Sequence, residues 1–119
     1  MRPEDRDAGY VWDMLDAARS VRDFTNGVTQ EDYLRDRKLQ LAIERALEII
    51  GEAARLVSAD FKALHPEVPW PQIIAQRNVI AHDYGEIKQD RIWMVATTRI
   101  VELIAQIEPL LPPPPASPP

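Results

Sequence analysis

Residues 37–58 read RKLQLAIERALEIIGEAARLVS, the longest stretch in the chain that keeps a helical pattern without a break. Leu39, Ala42, Ile43, Ala46, Ile50, Ala53 and Val57 recur at three- and four-residue steps and form one apolar stripe. Leu41, Leu47, Ile49, Ala54 and Leu56 widen it, and Glu44, Glu48, Glu52 and Arg55 form a polar strip. So broad an apolar face predicts a helix buried on more than one side, as at the centre of a bundle or in a dimer interface. Gly51 lies in mid-helix, where glycine costs about 1 kcal/mol relative to alanine. Close approach of a second helix is the usual compensation, the alternative being a glycine that is merely tolerated.

The flanks repeat the pattern. From about residue 4 to 24, Tyr10, Val11, Met14, Leu15, Ala18 and Val21 mark an amphipathic helix, which Asn26-Gly27 ends by turning left-handed. Thr29 reads as an N-cap, with Glu31 and Asp32 in the following turn, where acids suit the positive end of the helix dipole. That short helix runs to about Asp36. Residues 58–66 read as a helix end and one further turn, and Glu67-Val68-Pro69-Trp70-Pro71 as an extended connection, because residues before proline leave the α region. A final helix is predicted from about Lys88 to Leu110, with Ile92, Val95, Ala96, Ile100, Leu103, Ile104 and Ile107 inside and Pro109 fraying its end. The expected fold is all-α, a bundle of four main helices and a short one over residues 1–111. Residues 112–119, PPPPASPP, are expected to be a disordered, extended tail.

Composition sets limits. A chain of 119 residues with 45% apolar and 28% charged residues suits one globular domain with its own core. The charged N-terminus is unlike a signal peptide and no apolar run spans a bilayer, so the expected location is the cytoplasm. Cysteine is absent, which removes disulfides and thiolate metal sites. The net charge of −5 argues against indiscriminate nucleic-acid binding. The acidity is concentrated in residues 1–36, with nine acids and five bases, whereas residues 37–84 carry six of each. A local basic site is therefore compatible with the total.

Chemistry concentrates in residues 70–84, WPQIIAQRNVIAHDY. Pro71 suits the first turn of a helix, and nothing breaks the pattern before His82, so Arg77, Asn78 and His82 share one rod. At 100° per residue with Ile73 as zero, Arg77 falls near about 40°, Asn78 near about 140° and His82 near about 180°. Arg77 and His82 are thus some 140° apart, roughly, which one helix cannot easily aim at a single phosphate. Two copies about a two-fold axis can. Histidine titrates near neutrality and exchanges protons with a 2′-hydroxyl or a leaving oxygen, while arginine forks onto phosphoryl oxygens. The pair points to phosphodiester cleavage without a metal. His65 and His82 are far apart in sequence and lack carboxylates at ligand spacing, so neither a metal nor a cofactor is expected. His65 beside Pro66 reads as a solvated loop residue.

Arg77-Asn78-Val79-Ile80-Ala81-His82-Asp83-Tyr84 resembles the R-N-x-x-x-H-x-Y motif of the HEPN superfamily, and specifically of the HepT ribonuclease toxins. The resemblance covers about residues 8–110. It includes the aspartate-rich first helix, Ile49-Ile50-Gly51-Glu52-Ala53-Ala54 and Pro66-Glu67-Val68-Pro69-Trp70, in that order. Ala75-Gln76 depart from the Gly-Met common in the family, which implies a packing change. The resemblance implies a helical homodimer that cuts RNA, with Arg77 and His82 catalytic and Asn78 supporting them. It also implies an MntA-type nucleotidyltransferase antitoxin that transfers AMP to the motif tyrosine, here Tyr84, adding bulk and negative charge beside the cleft. Two other readings compete with it. One is a non-catalytic dimer that docks a nucleotidyltransferase or nucleotide. The other is a structural bundle, which leaves the Arg, Asn, His and Tyr set without a purpose.

Overall fold

The computed structural model describes the backbone of residues 3–82 and 85–111, with side chains except at 3–4, 77 and 79–82. The helices are α1 (Pro3–Thr25), α2 (Gln30–Leu34), α3 (Arg37–Leu56), α4 (Ala59–Leu64), α5 (Trp70–His82), α6 (Gly85–Met94) and α7 (Ile100–Ile107). A π turn, Val95–Arg99, joins α6 to α7, and a 3-10 turn, Glu108–Leu110, follows. No strand occurs among the described residues, so the all-α expectation holds. The tail at 112–119 lies outside the described residues.

Local chemistry starts and stops these helices, at Gly27 and Thr29 as the sequence suggested and at Asp36 and Ser58 through caps that the sequence reading did not name. Gly27 takes φ +75 and ends α1. Thr29 caps α2 by accepting the Asp32 N–H at 3.1 Å. Asp36 caps α3 in the same way, accepting from Leu39 N–H at 3.0 Å. Ser58 caps α4 through the Phe61 N–H at 3.2 Å, and a second acid stabilises that cap from outside. Asp7, buried on α1, accepts the Ser58 N–H at 2.8 Å and the Ser58 hydroxyl at 2.7 Å. That tie closes the first helix onto the far end of the third.

α3 is the centre of the molecule. It packs against α1 on one side and α5 on the other, with α2 and α6 at its N-terminal end. Ile43, Ala46, Leu47, Ile50, Ala53, Ala54 and Val57 are buried, and so is Gly51. Leu41 and Leu56 are the exceptions to the widened stripe, 51% and 43% exposed. The rest of the core comes from Val11, Met14, Leu15, Ala18 and Val21 of α1, and from Ile92, Val95, Ala96, Ile100, Leu103 and Ile107 between α6 and α7. Burying an aliphatic side chain of this size contributes about 1.5–3 kcal/mol, which fixes the packing order of the bundle.

Glu44 departs from its expected place on the polar strip. It is 8% exposed, because α6 crosses α3 at this level and covers it. Its charge is met by Lys88 Nζ at 2.6 Å, by Arg37 at 3.7 Å and by the Gln89 amide at 3.4 Å. A buried carboxylate needs such partners to offset its lost hydration. Gln89 in turn accepts a hydrogen bond from the Tyr33 hydroxyl, and Gln40 donates to the carbonyls of Tyr33 and Leu34 at 3.0 and 3.1 Å. This network pins α2, α3 and α6 together.

Candidate active site

The motif helix α5 is held at its start by a compact turn. Where an extended connection was expected, Val68 N–H reaches His65 O at 3.2 Å and Trp70 N–H reaches Val68 O at 2.9 Å. Trp70 is buried and donates its indole N–H to His65 O at 3.0 Å. Buried tryptophan needs such an acceptor. His65 itself packs against Phe61 with ring centroids 4.5 Å apart and planes tilted by 46°, and its Nδ1 lies 3.4 Å from Glu67. It is a fixed part of the hinge into α5, about a quarter exposed, and not the solvated loop residue expected. Among the described residues no group of His, Cys, Asp and Glu is arranged to hold a metal ion.

Exposure along α5 separates the motif positions. Trp70 is buried and Ile73 and Ile74 are half-buried, all between about 0° and 100° on the helix, where position 77 also falls. Pro71, Ala75 and Asn78 are exposed and occupy about 140° to 200°, the sector that contains position 82. The backbone thus assigns Arg77 a position on the packed side of the rod and His82 one on the open side, with Asn78 a turn before it. The side chains of Arg77 and His82 are outside the description. Tyr84 lies outside the described residues altogether, and α6 resumes at Gly85 with φ +65.

Beside α5 runs a groove of about 570 Å³. Its apolar wall is Leu47, Ile50, Ile73, Val95, Ile100 and Leu103, and its rim carries Gln72, Gln76, Arg91, Met94, Arg99, Glu102 and Gln106. Met94 is 47% exposed there. The π turn supplies Val95 and Arg99 to the lining. The sequence reading missed this groove, because it forms only where three helices diverge.

A second cleft, about 460 Å³, opens at the other end of α6 between the first turns of α3 and α6. It is lined by Leu34, Arg37, Gln40, Gly85, Glu86, Lys88 and Gln89. Of these, Lys88 is paired with buried Glu44, and Gln40 and Gln89 are themselves buried and hydrogen-bonded.

The chain is similar in sequence to several known proteins. A "Probable ribonuclease HepT" of Thermococcus cleftensis is 38% identical over 101 residues, covering 85% of this chain and 92% of that protein. Two proteins of Methanocaldococcus jannaschii, each named "Putative RNase", are 33% and 30% identical over 102 and 99 residues. These alignments cover 86% and 83% of this chain, and 84% and 91% of the two relatives. No solved structure matches. The model of the family described as "Ribonuclease HepT-like" matches residues 14–110, so the chain belongs to the HepT-like ribonuclease family.

Proposed function

We propose that this protein is a metal-independent endoribonuclease and the toxin of a toxin–antitoxin pair, active as a homodimer. Its catalytic residues are Arg77 and His82, with Asn78 beside them. The observation that carries the reading is the split of the motif over two sectors of α5 in a chain of a ribonuclease family. A single copy separates the arginine position from the histidine position. A two-fold axis beside α5 brings the histidine edge of one copy to the arginine edge of the other. The groove along α5 and the π turn, with half-exposed Met94 on its rim, is the apolar face by which two copies meet.

The chemistry follows from the residue types. His82 takes the proton of a 2′-hydroxyl as that oxygen bonds to phosphorus; the bond from phosphorus to the 5′-oxygen breaks, and the leaving oxygen receives a proton. The products are a 2′,3′-cyclic phosphate and a 5′-hydroxyl end. Arg77 stabilises the charge that builds on the phosphoryl oxygens. Asn78, exposed a turn before His82, orients the histidine or the substrate. An MntA-type nucleotidyltransferase switches the enzyme off by attaching AMP to Tyr84, which blocks the cleft by bulk and repels phosphates by charge. The setting is the cytoplasm; no helix among the described residues is long and apolar enough to cross a membrane.

RNA cleavage in EDTA by the purified protein is the direct test. His82→Ala and Arg77→Ala each lower the rate by at least about a hundredfold, and an all-deoxy substrate survives. Undiminished cutting by His82→Ala removes the assigned roles. A protein that never cuts RNA yet holds a nucleotidyltransferase tightly favours the docking reading instead. Intact mass after co-expression with that enzyme gains AMP units, which Tyr84→Phe loses.

A further inference from the structure

One end of the groove beside α5 lies close to the last described residue. The rod running from α6 through the π turn to α7 lines the groove from Met94 to Gln106, about 18 Å apart along a helix. Leu110 and Leu111 follow one turn on, half-buried and packed against the core. Leu111 has left the helix, at φ −97 and ψ 147, the extended region to which the next residue, a proline, confines it. Six prolines, an alanine and a serine come next, at positions 112–119. Eight residues in the extended form of proline-rich chains span about 25 Å. That is the length needed to turn back from Leu111 along α7 and cover the groove to the level of Met94.

The lining suits such a strand. Its wall is aliphatic, with Leu47, Ile50, Ile73 and Leu103 available to proline rings. Its rim carries the amides of Gln72, Gln76 and Gln106, which form no side-chain hydrogen bond among the described residues. A strand made mostly of proline brings carbonyl acceptors and few N–H donors, so amide donors along the rim are what it needs. Residues 112–119 carry no charged side chain. The rim calls for none, since Arg99 already has Glu102 at 3.8 Å. Proline-rich strands dock in apolar grooves at low entropic cost, because the extended form is the one they favour when free.

We propose that residues 112–119 bind in this groove as an uncharged strap and compete there with the second copy of the chain. The inference rests on the reading of the groove as the pairing face, and it adds a regulator of that pairing carried by the same chain. A short tether sets an effective concentration of a few millimolar. A strap with an intrinsic Kd of about 1 mM is then bound some two-thirds of the time, roughly, and both copies must release it before they meet. Pairing is weakened about tenfold as a result.

The test uses the full chain with Pro112→Ser, Pro113→Ser, Pro114→Ser and Pro115→Ser together, which keeps the length and leaves the helical domain as it is. One readout is the NMR signals of the Gln72, Gln76 and Gln106 side-chain amides, recorded at a concentration where the protein is monomeric. The other is the dimer dissociation constant from sedimentation. The strap predicts amide signals that differ between wild type and variant, and a variant that pairs about tenfold more tightly. RNA cleavage at limiting protein concentration rises in step. Identical amide signals and identical pairing overturn the strap while leaving the dimer and the ribonuclease intact. Amide signals that move only with protein concentration, and equally in both proteins, assign the groove to the second copy alone and also overturn it. Amide signals that differ while pairing stays the same put the pairing face elsewhere and overturn the competition. A wild-type protein that stays monomeric at every concentration sinks the dimer reading, and the competition with it.

Discussion

Tyr33 is the residue whose surroundings depart most from what its neighbours in sequence suggest. Its ring is fully buried and stacks at 5.0 Å on Trp93, and its hydroxyl donates to Gln89. Burial, and then the negative charge of Glu44, push the hydroxyl's pKa well above the ordinary tyrosine value; Arg37 pulls in the opposite direction. The folded-state pKa therefore exceeds the unfolded one. The neutral phenol's contribution to stability is complete below about pH 10 and is lost as pH rises through the raised value. Tyr33→Phe leaves the Gln89 carbonyl without its donor and lowers stability by about 1 kcal/mol at neutral pH. Urea unfolding across pH 7–11 tests both points: the wild-type midpoint falls on the alkaline side, whereas that of the variant stays nearly level.

At the scale of elements, the last rod shows why its pattern read as helix while its irregularity did not. A straight α-helix from Ile92 to Ile107 would spread the seven inner residues over about 180° of its circumference. The π turn at Val95–Arg99 inserts one residue, seen in the Ile100 N–H reaching Val95 O, and draws them into about 120°. The stripe that meets α1 is narrowed, and Val95 and Arg99 line the groove. Deleting Thr98, an exposed member of the turn, restores an ordinary helix without moving the buried residues downstream. The deletion variant keeps its helical circular dichroism and melts within a few degrees of wild type, while dimer formation and RNA cleavage fall because the groove changes shape. Loss of the fold would show that the turn is needed for packing. Sequence spacing allowed either geometry here, because both place the same residues inward.

For the whole molecule, the groove makes a prediction about assembly. Met94→Glu puts a charge on a half-exposed rim position and leaves the core untouched. Light scattering of that variant gives the monomer mass where wild type gives the dimer, and its RNA cleavage falls at least tenfold with it, roughly the penalty for desolvating a lone carboxylate in an interface. A Met94→Glu protein that stays dimeric and active places the interface on another face.

Much of this was written in the local sequence. The stripe over 37–58, the Gly27 stop, the Thr29 cap and the helix from Pro71 toward His82 depend on residues a few positions apart, so spacing alone determined them. The Arg77, Asn78, His82 and Tyr84 motif was legible for the same reason, and its resemblance to HepT proteins agrees with the family that the chain matches. The tertiary structure decided what depends on elements meeting from far apart in the chain. Glu44 is buried only because α6 crosses it, Asp7 caps Ser58 from 51 residues away, and the two clefts exist where helices part. Periodicity shows which face of a helix is apolar. It says nothing of which helix covers that face, and a charge's partner or a cleft's lining is fixed only once that choice is made.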